Sequence, residues 1–126
     1  MKTLQVLGTA YRATLEEQDD PVLWMTQAMQ GAGGDLSLLL CGTAVSYTVQ
    51  GQNPATLRIG SWTQRHPPDV VTALRSLLAN GAEVLVVKDD LDDRAIAHDR
   101  LIEGVKPVPR SSLASIYDRF ERVWQW

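Results

Sequence analysis

Apolar residues in this chain fall into short runs that alternate with stretches of helical spacing. Thr3 to Leu7 is a run of strand length closed by Gly8, which predicts a first strand. Thr9 to Asp20 is polar and reads as a loop. Asp20-Pro21 then supplies a helix start, an acidic N-cap followed by Pro at the first helical position. Val22, Met25 and Met29 lie on one side of that helix, and Gly31, Gly33 and Gly34 stop it. Leu36 to Leu40 is an apolar run too short for another helix before Gly42, and predicts a second strand.

Thr43 is placed to cap a short helix through Gln50, closed by Gly51, although Val45, Thr48 and Val49 are β-branched or strand-compatible and suit a strand as well. Gly51 to Pro68 is punctuated by Gly, Asn and Pro and reads as one long loop. Loops of that length are uncommon in compact domains and are often functional. Pro68-Asp69 opens a further helix with Val70, Val71, Leu74, Leu77 and Leu78 on its apolar side, and Asn80-Gly81 ends it. Val84 to Val87 is the clearest strand, since consecutive apolar residues point to burial on both faces, as in a parallel sheet. Leu91 to Ile102 is predicted helical, ending before Gly104. Val105 to Val108 is a short strand that Pro107 and Pro109 assign to a sheet edge. Ser111 or Ser112 caps a last helix holding Leu113, Ile116 and Phe120, and Val123 to Trp126 adds a terminal strand.

This alternation predicts an α/β domain with a parallel sheet and helices on both faces. Ligands in such sheets bind outside the carboxyl ends of the strands. The rule selects Gly8 to Arg12, Cys41 to Thr43 and Lys88 to Asp90, three segments that should open on one edge.

Composition narrows the picture. The chain has 126 residues, the length of one domain. Its formal net charge of -3 disfavours strong direct binding to nucleic-acid backbones. The longest uncharged run, Leu36 to Leu57, is broken by Gly42, Gln50, Gly51, Gln52, Asn53 and Pro54 and makes a poor bilayer span. Met1 to Gly8 lacks a sustained apolar segment of the signal-peptide kind. With one Cys there is no intramolecular disulfide. The expectation is a cytoplasmic protein with no membrane partner.

The candidate chemistry is sparse. Cys41 follows directly on the second strand, and a helix starting at Gly42-Thr43 would point N–H groups at its sulfur and favour the thiolate. The competing reading is a buried small apolar side chain. Lys88-Asp89-Asp90-Leu91-Asp92-Asp93-Arg94 gathers carboxylates that either bind a cation or, the preferred reading, serve a helix N-terminus. Gly31-Ala32-Gly33-Gly34 follows a helix and precedes a strand, the wrong context for a dinucleotide loop. His66 and His98 lack zinc-ligand spacing, so no metal and no cofactor is expected. Arg58 to His66 interleaves basic residues with Trp62, a composition that either stacks on a nucleobase or grips a partner or, the preferred reading, anchors the loop onto its own domain. Trp124 and Trp126 need cover from the core or from another subunit.

Several stretches resemble the DsrE/DsrF/DsrH superfamily, sulfur-relay proteins that include the TusBCD-type subunits. They are the first strand running into Gly8-Thr9-Ala10-Tyr11, the Gly-rich helix stop before Asp35-Leu36-Ser37-Leu38-Leu39-Leu40, the segment Val84 to Arg94, and the ending Arg119 to Trp126. The C-terminal half looks most like the DsrH/TusB type, and the resemblance spans most of the chain except Gln52 to Pro68. It implies a three-layer α/β/α domain with a mostly parallel five-stranded sheet. It also implies homo-oligomers (dimers, trimers or hexamers) and partners among sulfur-carrier or other DsrE/F/H-like proteins. Active members carry a persulfide on a Cys. The family's Cys positions, after the third strand or in the first helix, fall in Val86 to Asp90 and Pro21 to Gln30, which contain no Cys.

Three readings follow. In the first, Cys41 relays persulfide sulfur, with Gly42 and Thr43 stabilising the sulfur and Arg12 or Lys88 supplying positive charge. Gly8, Tyr11, Asp89 and Asp90 complete the candidate binding edge. In the second, the chain is a non-catalytic oligomeric subunit that docks partners. In the third, the same loops hold a small ligand or nucleotide, which no phosphate motif supports.

Overall fold

The computed structural model describes residues 1–11, 20–52 and 55–126. Five strands form one sheet: β1 Lys2–Leu7, β2 Asp35–Leu40, β5 Val84–Val87, β6 Lys106–Val108 and β7 Arg122–Gln125, in the order β6-β5-β2-β1-β7. Every pairing in it is parallel. Helices α1 Pro21–Gly31 and α2 Val70–Ala79 cover one face, and α4 Leu113–Tyr117 covers the other. The expected three-layer α/β/α domain with a five-stranded parallel sheet is therefore observed.

The pleat divides the core in two. Leu7, Leu38, Leu40, Val84 and Val86 face Leu23, Tyr47, Leu74 and Leu77. Leu4, Val6, Leu39, Leu85 and Val87 face Ile116, with Leu113, Tyr117 and Phe120 at the margin. Successive strand residues point to opposite faces, so β5 is apolar throughout, and β2 is apolar but for exposed Asp35 and buried Ser37, because both faces are covered. The two edges differ. On β6, Pro107 removes a backbone donor where no further strand pairs. On the β7 side, the Trp126 indole N–H donates to the Oε1 of fully buried Gln5 at 2.7 Å and ties the terminal strand to the core.

Asp20 caps α1 as expected, its Oδ1 accepting from the Val22 and Leu23 N–H groups at 2.9 and 3.3 Å. Its Oδ2 accepts from the buried Tyr47 hydroxyl at 2.7 Å. Burial and that carboxylate push the Tyr47 hydroxyl far above its ordinary range, so Tyr47 stays neutral. Asp69 caps α2 through the Thr72 N–H at 3.1 Å.

Four local expectations are corrected. The helix predicted for Leu91 to Ile102 is a short α3, Lys88–Asp93, followed by a 3-10 turn at His98–Arg100. Ala95 ends α3 in the left-handed region at φ 54. The Ala95 N–H bonds to the Asp92 carbonyl at 3.1 Å and the Ile96 N–H to the Leu91 carbonyl at 3.0 Å, the paired pattern of a Schellman stop. Residues Gly42–Thr48 form a 3-10 helix, not one capped by Thr43, whose Oγ1 instead accepts from the Ala10 N–H at 3.0 Å. The long loop contains a hairpin, β3 Arg58–Ile59 with β4 Trp62–Thr63, closed at its base where buried Gln64 accepts from the Leu57 N–H. Trp62 is about half exposed there, at 49%. Finally, neither serine caps α4 with its side chain: Arg110–Ser112 is a 3-10 turn leading into it, and Phe120 lies beyond its end.

Among the described residues no helix is long and apolar enough to cross a membrane. Asp20→Ala removes an N-cap worth about 1 kcal/mol. It also leaves a buried hydroxyl donor without its acceptor, at about 1–3 kcal/mol. Urea unfolding is expected to show a combined loss of about 2–4 kcal/mol.

Candidate functional site

The carboxyl ends of β1, β2, β5 and β6 lie on one edge, and Cys41 sits among them. Parallel pairing sets Leu7 opposite Leu40 and carries the Cys41 N–H to the Leu7 carbonyl at 3.0 Å. Alternation along β2 then turns the half-buried Cys41 side chain to the α4 face, beside the Ile116 cluster. Gly8 leaves space beside the sulfur, since a Cβ there would lie 3.7 Å from Cys41 Sγ. Gly42 adopts φ 55, and a Cβ on it would stand 2.6 Å from the Gly8 carbonyl oxygen.

The acid of this edge is Asp90, in the first turn of α3. Only 8% of it is exposed. Its Oδ2 accepts the Gly42 N–H at 2.8 Å, and its Oδ1 pairs with Arg110 Nη2. The backbone N–H of Arg110 donates to Asp89 Oδ1 at 2.7 Å, which holds the Asp89 carboxyl below the usual carboxylate range. Adjacent carboxylates thus fix one arginine by its backbone and its side chain. The helix cap itself, Val87, has no side-chain bond, so the acidic run serves Gly42 and Arg110 as well as the helix dipole.

This arrangement overturns the expected thiolate. The Gly42 N–H goes to Asp90 and not to sulfur, while Cys41 Sγ donates weakly to the Leu7 carbonyl at 3.7 Å. Burial, then the Asp90 carboxylate, push the Cys41 thiol up, and Arg110 pulls it part of the way back. Tyr117 stands close enough that the Cys41 charge, after burial, raises its hydroxyl too. At neutral pH the resting sulfur is a thiol.

The remaining predicted residues are dispersed around this centre. The Gly8 N–H donates to the Trp126 carbonyl at 3.3 Å. Tyr11, at φ 59, packs its ring edge-on against Tyr47 at 4.9 Å, and its hydroxyl donates to Gln52 Oε1 at 2.9 Å. Thr43 holds the loop through Ala10. Lys88 is exposed, 3.7 Å from Asp92, and has no bond to the thiol centre. Arg12 lies outside the described residues. Lys88 to Asp90 is the opening turn of α3, not a loop. Arg110 and Tyr117 were missed by sequence reasoning, although β6 was foreseen and the segment after it opens on the same edge.

Similarity to known proteins rests on structure. No family model matches the chain, and no curated protein matches it. The YchN protein from E. coli superposes with a TM-score of 0.74 at 22% identity, covering 100% of both chains. The chain shares the fold of YchN. MTH1491 from Methanobacterium thermoautotrophicum, a protein of unknown function, gives 0.67 at 10% identity over 99% of this chain and 98% of its own. BT1422 from Bacteroides thetaiotaomicron, likewise of unknown function, gives 0.67 at 13% over 99% and 95%. At these identities the likeness is one of fold.

The crowding at Gly42 makes a sharp contrast with Gly8. Gly42→Ala is expected to cost about 2 kcal/mol or more in chemical denaturation, through left-handed strain and contact with a backbone oxygen. Gly8→Ala, with ordinary contacts only, is expected to cost less than about 1 kcal/mol.

Proposed function

We propose that the protein works in sulfur metabolism as a DsrE-like carrier that takes up persulfide sulfur on Cys41. The observation that supports this is the position of the thiol: the chain's one sulfhydryl stands half-buried at the carboxyl edge of a parallel sheet. It is flanked there by Arg110 and Tyr117 on segments that follow β6. Parallel sheets bind their ligands at that edge. The family position for a reactive Cys is empty in this chain, so Cys41 is an independent solution on the same fold.

The step is a thiol–persulfide exchange. Cys41 sulfur bonds to the outer sulfur of a donor R–S–SH, and the donor S–S bond breaks with its electron pair leaving on the inner sulfur. The Cys41 proton ends on that departing thiolate. The products are Cys41–S–SH and R–SH, with no net oxidation. Delivery to an acceptor thiol repeats the exchange in reverse. Intact mass after exposure to a persulfide donor is expected to rise by one sulfur atom, to fall back on reduction, and not to rise in Cys41→Ser. A folded wild-type protein that gains no sulfur rejects the relay.

A second reading, a non-catalytic subunit that builds a homo-oligomer or docks another DsrE/F/H-like protein, is favoured by the β7 edge. Among the described residues that strand has no partner on its outer side. Val123 and Trp126 are exposed there at 39% and 42%, and Trp126 lines an open cleft of about 300 Å³ with Val22 and Met25. Unpaired, apolar edges invite association. On this reading the wild type sediments as an oligomer at micromolar concentration and Val123→Glu as a monomer. Identical monomers would remove the support.

A further inference from the structure

The Cys41 edge holds two charged groups that the exchange does not consume, Asp90 and Arg110. They are placed by different parts of the chain: Asp90 by the first turn of α3, Arg110 by the turn after β6. Asp90 is nearly buried and binds the peptide N–H next to the cysteine, so it cannot swing away without breaking the 2.8 Å Gly42 bond. Arg110 is anchored through its backbone to Asp89, while its guanidinium, with a half-exposed side chain, reaches Asp90. A fixed carboxylate therefore sits on the peptide next to the thiol, and its counter-ion is held at the surface.

We propose that Asp90, tied to the Gly42 peptide next to the cysteine, is a positioning residue that adds to burial in disfavouring the Cys41 thiolate, with Arg110 as the counterweight that keeps the site within reach of thiolate chemistry. The inference rests on the relay reading for its biological meaning. The physical grounds are independent of any donor. A carboxylate close to a thiol disfavours a second negative charge, and a guanidinium favours it. The titratable and charged groups described around Cys41 are Asp90 and Asp89 from α3, Arg110 from the segment after β6, and Tyr117 from α4. Burial, then the Cys41 charge, raises the Tyr117 hydroxyl, so Tyr117 is neutral at pH 7.5, where the rates are compared. The two acids and one arginine thus set the local charge.

The two charges act in opposite directions, which gives the test its force. Asn at position 90 keeps a carbonyl that can accept the Gly42 N–H, loses the negative charge and frees the Arg110 cation. Gln at position 110 removes the cation and leaves the acid. The experiment follows the rate of Cys41 alkylation by iodoacetamide from pH 6 to pH 10 in wild type, Asp90→Asn and Arg110→Gln. Folding is checked by circular dichroism and urea midpoint. Asp90→Asn is expected to move the midpoint of the pH profile down and to raise the rate at pH 7.5 by about threefold for each pH unit of displacement, the weaker nucleophilicity of a more acidic thiolate being included. Arg110→Gln is expected to move the midpoint up and slow the reaction. Loosened packing alone would speed both variants. Equal acceleration, no shift, or a shift of Asp90→Asn to higher pH would overturn the proposal. If Asp90→Asn does not fold, Arg110→Gln and Arg110→Lys still decide it, since Lys should restore the wild-type midpoint and Gln should not. Alkylation needs no persulfide, so its outcome is separate from that of sulfur loading.

Discussion

The close approach of the β1 and β2 ends governs the geometry of this molecule. Parallel pairing in register carries the Cys41 N–H to the Leu7 carbonyl and presses Gly42 against Gly8. A Cβ at position 42 has nowhere to go, because the obstructing atom is a backbone oxygen and the backbone there is left-handed. The crowding turns the chain sharply after Cys41 and aims the Gly42 N–H away from the sulfur, where Asp90 receives it. The 3-10 helix that follows then delivers Tyr47 into the core to meet Asp20. One tight contact thus sets the site on one face of the sheet and the cap of α1 on the other.

Much of this was legible in the residues, for physical reasons that differ by element. Val84 to Val87 and Leu36 to Leu40 read as buried strands because apolar side chains occupy both faces in succession. Asp20-Pro21 and Asp69 read as helix starts because capping is a local event. Pro107 marked the edge because the missing donor shows in the sequence. The stop after α3 was not legible: a Schellman turn normally announces itself with Gly, and here Ala95 takes the left-handed position. Packing of Leu91 and Ile96 into the same core accompanies that turn, and such a tertiary contact leaves no local mark. The hairpin at Arg58 to Thr63 was hidden for a similar reason, since its strands are two residues each.

The site was half legible. The rule that ligands meet the carboxyl edge selected Cys41, Asp90 and Gly8 from three separated segments, and the fold brings them together. The chemistry inferred for the sulfur failed because it assumed that the N–H groups of the following turn were free. A buried carboxylate needs donors, and Asp90 takes the Gly42 N–H before the sulfur can. Arg110 stands twenty positions from Asp90 in the chain. Such a pairing is set by the β5-β6 crossover, not by spacing.

The energetic logic of Asp90 separates two effects that a thiol site usually combines. Its hydrogen bond to Gly42 and its ion pair with Arg110 join the ends of β2, β5 and β6, and stabilise the edge whatever the sulfur does. Its charge opposes ionisation of Cys41. Stability and thiol reactivity are therefore coupled at this edge through one side chain. A sequence change that weakened the tie while leaving the charge would loosen the fold and leave the thiol protonated. A change that removed the charge and kept the acceptor would hold the Gly42 bond, give up the ion pair and ease ionisation of the thiol. The arrangement leaves a resting thiol half-buried at the carboxyl edge of the sheet, and the charge beside it depends on the crossover that brings Arg110 to Asp90.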